Sequence, residues 1–390
     1  PLNTPHSPMM VDDRFYEKFE DKTLVQRHRE PDREDVMMTR AALAMCENID
    51  WNVGRVMQTL RELSLRDNTV VIYFSDNGPN SYRFNGGMKG RKGSIDEGGL
   101  RSPFFIRWPS HIESGKVIPE ITAAIDLLPT LLELTGTHGK TAKPIDGVSF
   151  APLLLGQSGT LKPRSLFSIK NNQVSVRTQQ FRLDASGQLF DIAADPGQHQ
   201  NVASKYPRIA SQLAEEARQH AAEMAKHFEQ YADRPFHVGF GPSTTLPARD
   251  GVEHGAIRRS AKAPNNSFFT NWTSTGDFIS WQVNVGTPGD YEAIVYYTCA
   301  AGDEGSTVRL SMVGGKSVRA KVVEVFDPPL YDKSKERVEN SHYFVKDFRP
   351  LRLGTIPLSA GRGELRLDAV KMTGQKVIDV HSIELNLISR

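Results

Sequence analysis

The sequence predicts an α/β domain, then a small α+β appendage, then a β-sandwich of jelly-roll type. Three observations carry this order. A helical apolar periodicity runs into a short β-branched stretch near residue 70; short strands give way to a second helix between residues 164 and 224; and beyond residue 262 most apolar stretches alternate with a period of two. At 390 residues the chain exceeds what a single hydrophobic core usually serves, so more than one domain is expected.

Within residues 31–63, Met45, Ile49, Val53, Val56, Leu60 and Leu63 recur at three- and four-residue steps. That spacing predicts an amphipathic helix with one buried stripe, with Asp32 as its cap. After Arg66-Asp67-Asn68, the run Thr69-Val70-Val71-Ile72-Tyr73-Phe74 is expected to be a strand buried on both faces. Residues 104–108 predict another strand, closed by Pro109, and residues 125–134 a helix stopped by Gly136. Short strands at 174–177 and 181–183, a turn at Gly187 and a helix over 207–224 form the appendage. From 234 to 262 proline and glycine thicken while periodicity fades, which predicts a linker. Strands are then expected over 279–285, 291–298, 307–313, 318–325, 351–358, 364–370 and 377–387, enough for a sandwich. The expected division is therefore 1–160, 161–233, a linker at 234–262, and 263–390.

Composition removes several function classes. With 48 basic and 46 acidic residues the formal charge is +2, which gives no bulk electrostatic reason to expect a nucleic acid or an anionic membrane as partner. Apolar runs such as Val70 to Phe74 fall far short of the roughly 20 residues that cross a bilayer, so no membrane span is expected. Two cysteines, Cys46 and Cys299, lie too far apart in unlike contexts to define a disulfide framework or a cysteine metal site.

Three segments carry chemistry. Ser75-Asp76-Asn77-Gly78-Pro79 follows the predicted strand, so a carboxylate and an amide oxygen stand side by side at its end. Such oxygen donors suit Ca²⁺ or Mg²⁺, although Asn-Gly is equally the signature of a plain turn. Gly90-Arg91-Lys92-Gly93-Ser94-Ile95-Asp96-Glu97-Gly98-Gly99-Leu100-Arg101 is a glycine-rich loop with three cations, which suits a sulfate or phosphate group or else a solvated basic loop. Pro5-His6-Ser7-Pro8 sets a histidine between two rigid prolines.

Read in this order, with Ile125-Asp126-Leu127-Leu128-Pro129-Thr130, Ile145-Asp146-Gly147-Val148-Ser149-Phe150 and Leu189-Phe190-Asp191 downstream, the chain resembles the sulfatase family over about residues 1–230. The resemblance implies a partial alkaline-phosphatase-like α/β fold and hydrolysis of a sulfate ester, of a sulfated carbohydrate or an aryl sulfate. It also implies Ca²⁺, with Mg²⁺ as the alternative, held in part by Asp76 and Asn77. Lys92 and His6 match the family's sulfate-binding and catalytic lysine and histidine. Each role suits its chemistry: a metal polarises, a lysine offsets sulfuryl charge and a histidine gives a proton to the leaving oxygen.

One departure is large. Sulfatases carry an N-terminal aspartate pair and a Cys/Ser-x-Pro-x-Arg segment whose first residue becomes formylglycine, and neither occurs in this sequence. A missing N-terminal segment is therefore expected to supply the nucleophile, and the chain by itself is expected to be inactive. Alternatives are a non-catalytic carbohydrate-binding or structural fragment and, with a second metal, a phosphoesterase of the same superfamily. Export to a periplasmic, extracellular or lysosomal location is implied by the resemblance alone. In the C-terminal region Trp272, Trp281, Tyr291, Tyr296, Tyr297, Tyr331 and Tyr343 evoke a carbohydrate-binding module, although the alternation directs Trp281 to the same side as Ile279 and Val283 and marks most of these rings as core.

Overall fold

The computed structural model describes residues 2–25, 27–137, 143–157, 159–230, 234–262, 265–339 and 344–389. The chain divides into two compact units, one of residues 1–5 and 11–230, the other of residues 6–10 and 231–390. Each is described by itself.

The first unit is mixed α/β. Helix α1 (Asp13–Glu20) packs on α2 (Val36–Glu62), followed by β1 (Val71–Phe74), the short α3 (Glu97–Leu100) and β2 (Phe104–Arg107). Next come α4 (Leu127–Leu134), α5 (Ala151–Leu154) and a four-stranded antiparallel sheet: β3 (Leu166–Lys170), β4 (Gln173–Arg177), β5 (Phe181–Leu183) and β6 (Leu189–Asp191). Helix α6 (Pro207–Gln230) covers that sheet through Leu213, which is buried with Val176, Leu183 and Leu189. The predicted helices and strands of this half all form.

Three expectations need correction. The cap of α2 is Asp35, whose carboxylate accepts the Met38 N–H at 2.9 Å, because Pro31–Arg33 has already turned as a 3₁₀ helix. The buried stripe of α2 holds for Met45 and Ile49, but Val56 is 56% and Leu63 61% exposed. Buried side chains occur only in the first half of that helix, which α1 packs against. Likewise β1 is not buried on both faces. Among the described residues it pairs with β2 alone, antiparallel, and Phe74 and Phe105 remain about half-exposed or more. A run of β-branched residues reports strand propensity and not what covers the strand.

The second unit is a β-sandwich. Its strands are β7 (Phe236–Val238), β8 (Ser243–Pro247), β9 (Val252–His254), β10 (Arg258–Arg259), β11 (Phe269–Thr270), β12 (Phe278–Val285), β13 (Gly289–Thr298), β14 (Thr307–Met312), β15 (Ser317–Lys321), β16 (Arg349–Leu358), β17 (Gly361–Lys371) and β18 (Asp379–Ser389). One sheet has the order β10-β11-β18-β13-β16 with β8 on β18, and the other β15-β14-β17-β12-β7 with β9 on β12. Their inner faces share one core that includes Trp281, Val283, Tyr291, Val295, Leu365 and Ile383.

Residues 234–262, expected as a linker, supply β7, β8, β9 and β10 to these sheets. Edge and end strands tolerate proline and glycine, which hid them from a reading based on alternation. Trp272, Trp281, Tyr291 and Tyr297 are buried core rings, Tyr296 is partly exposed with its hydroxyl on Glu384 at 3.0 Å, and Tyr331 is exposed. Tyr343 lies outside the described residues. No described helix is long and apolar enough to cross a membrane.

Candidate active site

Asp76 and Asn77 stand where the chain leaves β1. The Ser102 hydroxyl donates to the Ser75 carbonyl at 2.7 Å, tying this turn to the entry of β2. Asn77 Nδ2 donates to the Gly78 carbonyl at 2.8 Å, which commits the amide nitrogen to the turn. Asp76 is exposed, and its carboxylate takes no hydrogen bond or ion pair from the described residues.

The glycine-rich loop is laced to this turn. Gly78 donates its N–H to the Gly99 carbonyl at 3.0 Å, and Lys92 donates its N–H to the Pro79 carbonyl at 2.7 Å. The approach is so close that a Cβ on Gly78 would run into the Gly98 carbonyl, so only glycine fits there. Asp76, Asn77 and Lys92 are thus brought onto two adjoining loops of one unit.

The three cations of the loop, and Lys89 just before it, differ in the structure. Lys89 is bound to Asp184 at 2.8 Å and lies 3.4 Å from Asp96. Arg91 donates to the Asn80 carbonyl at 2.8 Å and covers the Tyr82 ring. Arg101 sits 4.0 Å from Glu97. Lys92 is exposed, with its ammonium bonded to none of the described residues.

Beneath the loop lies a buried polar network that sequence reasoning missed. Glu97, 2% exposed, accepts from Arg177 Nε at 2.9 Å and from Arg182 Nε at 2.9 Å, while its N–H donates to Gln198 Oε1 at 3.0 Å. Arg182 also donates to the Ile95 carbonyl at 3.0 Å, as does Ser175 Oγ at 2.7 Å, and Lys170 bonds the Gly93 carbonyl. The small sheet β3–β6 therefore grips the loop from behind. Burial by itself would raise the Asp184 carboxyl, but Lys89, Ser186 and the Gln188 N–H outweigh it and hold the group below the usual aspartate value. The one signal in the sequence was an acidic residue directly before Gly98-Gly99. Its arginine partners come from β4 and β5, well downstream, and carry no mark of their own.

His6 belongs to the other unit. Its Nδ1 lies 2.7 Å from the Ser7 carbonyl oxygen. A carbonyl only accepts, so Nδ1 carries the proton in this bond. Neither cysteine presents as a nucleophile. Cys46 faces outward from α2, and the thiol of buried Cys299 is pushed up to about 11 by burial and by Asp303, Glu304, Asp327 and Asp379.

Among the described residues no group of three or more His, Cys, Asp or Glu side chains converges. The donor chemistry of Asp76 and Asn77 fits a hard cation, but two oxygen ligands are fewer than the six to eight that Ca²⁺ takes.

Residues 2–137 match the family model described as Sulfatase, and residues 91–223 match the one described as N-sulphoglucosamine sulphohydrolase, C-terminal. Residues 2–223 belong to the sulfatase family. The sulfatase portion so defined takes in both loops and the small sheet that supports them, and the sandwich lies beyond it. Steryl-sulfatase of Rattus norvegicus is 38% identical over 139 residues, which cover 33% of this chain and 24% of that protein. N-acetylgalactosamine-6-O-sulfatase of Bacteroides thetaiotaomicron is 28% identical over 200 residues, 43% of this chain and 39% of that one. A solved structure described under the metabolism of multiple glycosaminoglycans by Bacteroides thetaiotaomicron aligns with a TM-score of 0.45 at 24% identity, covering 57% of this chain and 49% of that one. The chain spans less than half the length of these curated sulfatases.

Proposed function

We propose that the protein is a sulfuric ester hydrolase acting on a sulfated carbohydrate. The observation that carries this reading is the arrangement of two loops hydrogen-bonded to each other, one presenting Asp76 and Asn77, the other presenting Lys92 as its one cation not engaged by the described residues. A carbohydrate substrate is favoured by the 28% identity over 200 residues to an N-acetylgalactosamine-6-O-sulfatase.

In this proposal Asp76 and Asn77 give two oxygen ligands to a Ca²⁺ or Mg²⁺ ion, which when bound supplies Lewis-acid polarisation of the sulfate. Lys92 places its ammonium against the sulfuryl oxygens and offsets the charge that builds there as the S–O bond breaks. His6, with its proton on Nδ1 directed to the Ser7 carbonyl, delivers a proton from Nε2 to the departing sugar oxygen, a poor leaving group that needs one. The formylglycine nucleophile of sulfatases is proposed to come from outside residues 1–390, since Cys46 and Cys299 are the cysteines of this sequence and neither is placed to serve.

The test is sulfate release from sulfated monosaccharides and from an aryl sulfate, using the protein as its source produces it, with intact mass measured on the same sample. Turnover that chelation abolishes and Ca²⁺ or Mg²⁺ restores is expected. Failure to release sulfate from any of these substrates, or preferential release of phosphate with two bound metal ions, would overturn the assignment.

A further inference from the structure

The sandwich does more than follow the sulfatase portion in sequence, because the segment bearing His6 is built into it. Residues 6–10 cluster with the second unit. Met10 forms a β-bridge with Glu336, and Arg337 donates its N–H to the Met9 carbonyl at 2.9 Å, so two successive residues of the histidine segment are held by backbone pairing. Met9 is fully buried and Ser7 is 5% exposed. Backbone hydrogen bonds and a buried side chain three residues from the imidazole fix the path of the chain on which it rides.

The holding segment is itself anchored. Asp332 accepts the Ser334 N–H at 2.9 Å and its hydroxyl at 2.5 Å, and Glu336 donates its N–H to the Lys333 carbonyl at 2.8 Å, so residues 332–336 form a tied turn. Tyr331 donates its N–H to the Val345 carbonyl at 2.9 Å. Next to it Lys346, 9% exposed, pairs with Asp327 at 2.6 Å and with Asp379 at the start of β18 at 3.0 Å. A continuous set of bonds thus runs from a central strand of the sandwich, through Asp379, Lys346 and residues 327–337, to Met9, Met10 and the histidine.

We propose that the C-terminal sandwich is a positioning element for His6, with Glu336 and Arg337 as the residues that hold the histidine segment in place. The proposal rests on the reading of His6 as the proton donor. It gives the module a part in the reaction that does not depend on its binding sugar.

Leaving-group dependence separates positioning from mere folding. Proton donation matters for a sugar alkoxide and little for 4-nitrophenolate, which departs unaided. In the protein as naturally produced, His6→Ala is expected to lower kcat about 10²- to 10⁴-fold on a sulfated monosaccharide and far less on 4-nitrophenyl sulfate. Arg337→Pro, which removes the N–H that holds Met9, is expected to show the same selectivity with a loss of about 10- to 100-fold in kcat and little change in KM. Asp332→Ala, an exposed change that loosens the turn, should follow in the same direction with a smaller loss. Hydrogen exchange at the Arg337 amide, which donates to the Met9 carbonyl, should quicken in Asp332→Ala. If wild-type protein releases no sulfate, or His6→Ala slows both substrates equally, the underlying reading of His6 fails and the positioning role with it. If His6→Ala is selective while Arg337→Pro and Asp332→Ala match wild type, or slow both substrates alike, the positioning role alone is overturned.

Discussion

The two units differ in where their order comes from. In the sandwich, paired sheets close on a shared apolar core in which Trp281, Tyr291, Ile279 and Leu365 are at most 1% exposed. In the first unit the pair β1–β2 keeps Phe74 and Phe105 in contact with solvent, yet the loops that leave these strands are fixed by a dense set of polar bonds. Glu97, Arg177, Arg182, Lys89 and Asp184 do for the glycine-rich loop what apolar packing does for the sandwich. Buried ion networks add little net stability over an apolar core, but they fix geometry and fail sharply when one partner is removed.

The sharpest test of this contrast is truncation in each core. Trp281→Ala removes a ring whose Nε1 donates to the Pro247 carbonyl at 3.0 Å, and should cost about 3–5 kcal/mol of sandwich stability, measured by urea unfolding. Phe105→Ala, at a side chain 64% exposed, should change stability by less than about 1 kcal/mol. Comparable losses at both sites would erase the distinction between a closed and an open core.

Glu97→Ala probes the polar support. It leaves Arg177 and Arg182 buried without their carboxylate, and a loss of about 3–5 kcal/mol is expected in the first unit, with sulfate turnover falling as the loop loosens. Lys92→Ala is the complementary change. With no side-chain partner among the described residues, its removal should leave the melting temperature unchanged while kcat drops about 10²- to 10³-fold. A stability loss from Lys92→Ala would show that the lysine is structural and not held ready for an anion.

The smallest effect is in pH dependence. Asp126 is enclosed, which opposes its ionisation, but Arg164 and the N–H groups of Val148 and Ala123 prevail and hold its carboxyl below the ordinary aspartate value, as happens for Asp184. For carboxyls so depressed, the stabilisation is complete above the unfolded value, about 3.9, and is lost as pH falls from there through the lower folded values. Unfolding midpoints of the first unit should therefore decline below about pH 4, and Asp126→Asn should flatten that decline.

Much of this was legible in the sequence because it is local. Three- and four-residue apolar steps gave α2, alternation gave β12, and the Asp-Asn-Gly and Gly-x-Lys-Gly stretches located both loops. Where neighbours in sequence are also neighbours in space, spacing is enough. The strands within 234–262 were lost because those that join the sheets through β12 and β18 find their partners well downstream, β18 at the far end of the chain.

By itself the sequence determined which segments become helix or strand, which residues suit a hard cation and a sulfate, and which family the N-terminal portion resembles. Only the tertiary structure decided which of the loop's three cations stays without a partner among the described residues, because Arg91 and Arg101 acquire partners through folding and Lys92 does not. It also decided that His6 is carried by the sandwich, through Glu336 and Arg337 from the opposite end of the chain. The physical reason is common to both. Side-chain chemistry and backbone propensity are written residue by residue, whereas the pairing of charges and strands depends on which distant groups the closed cores bring within reach.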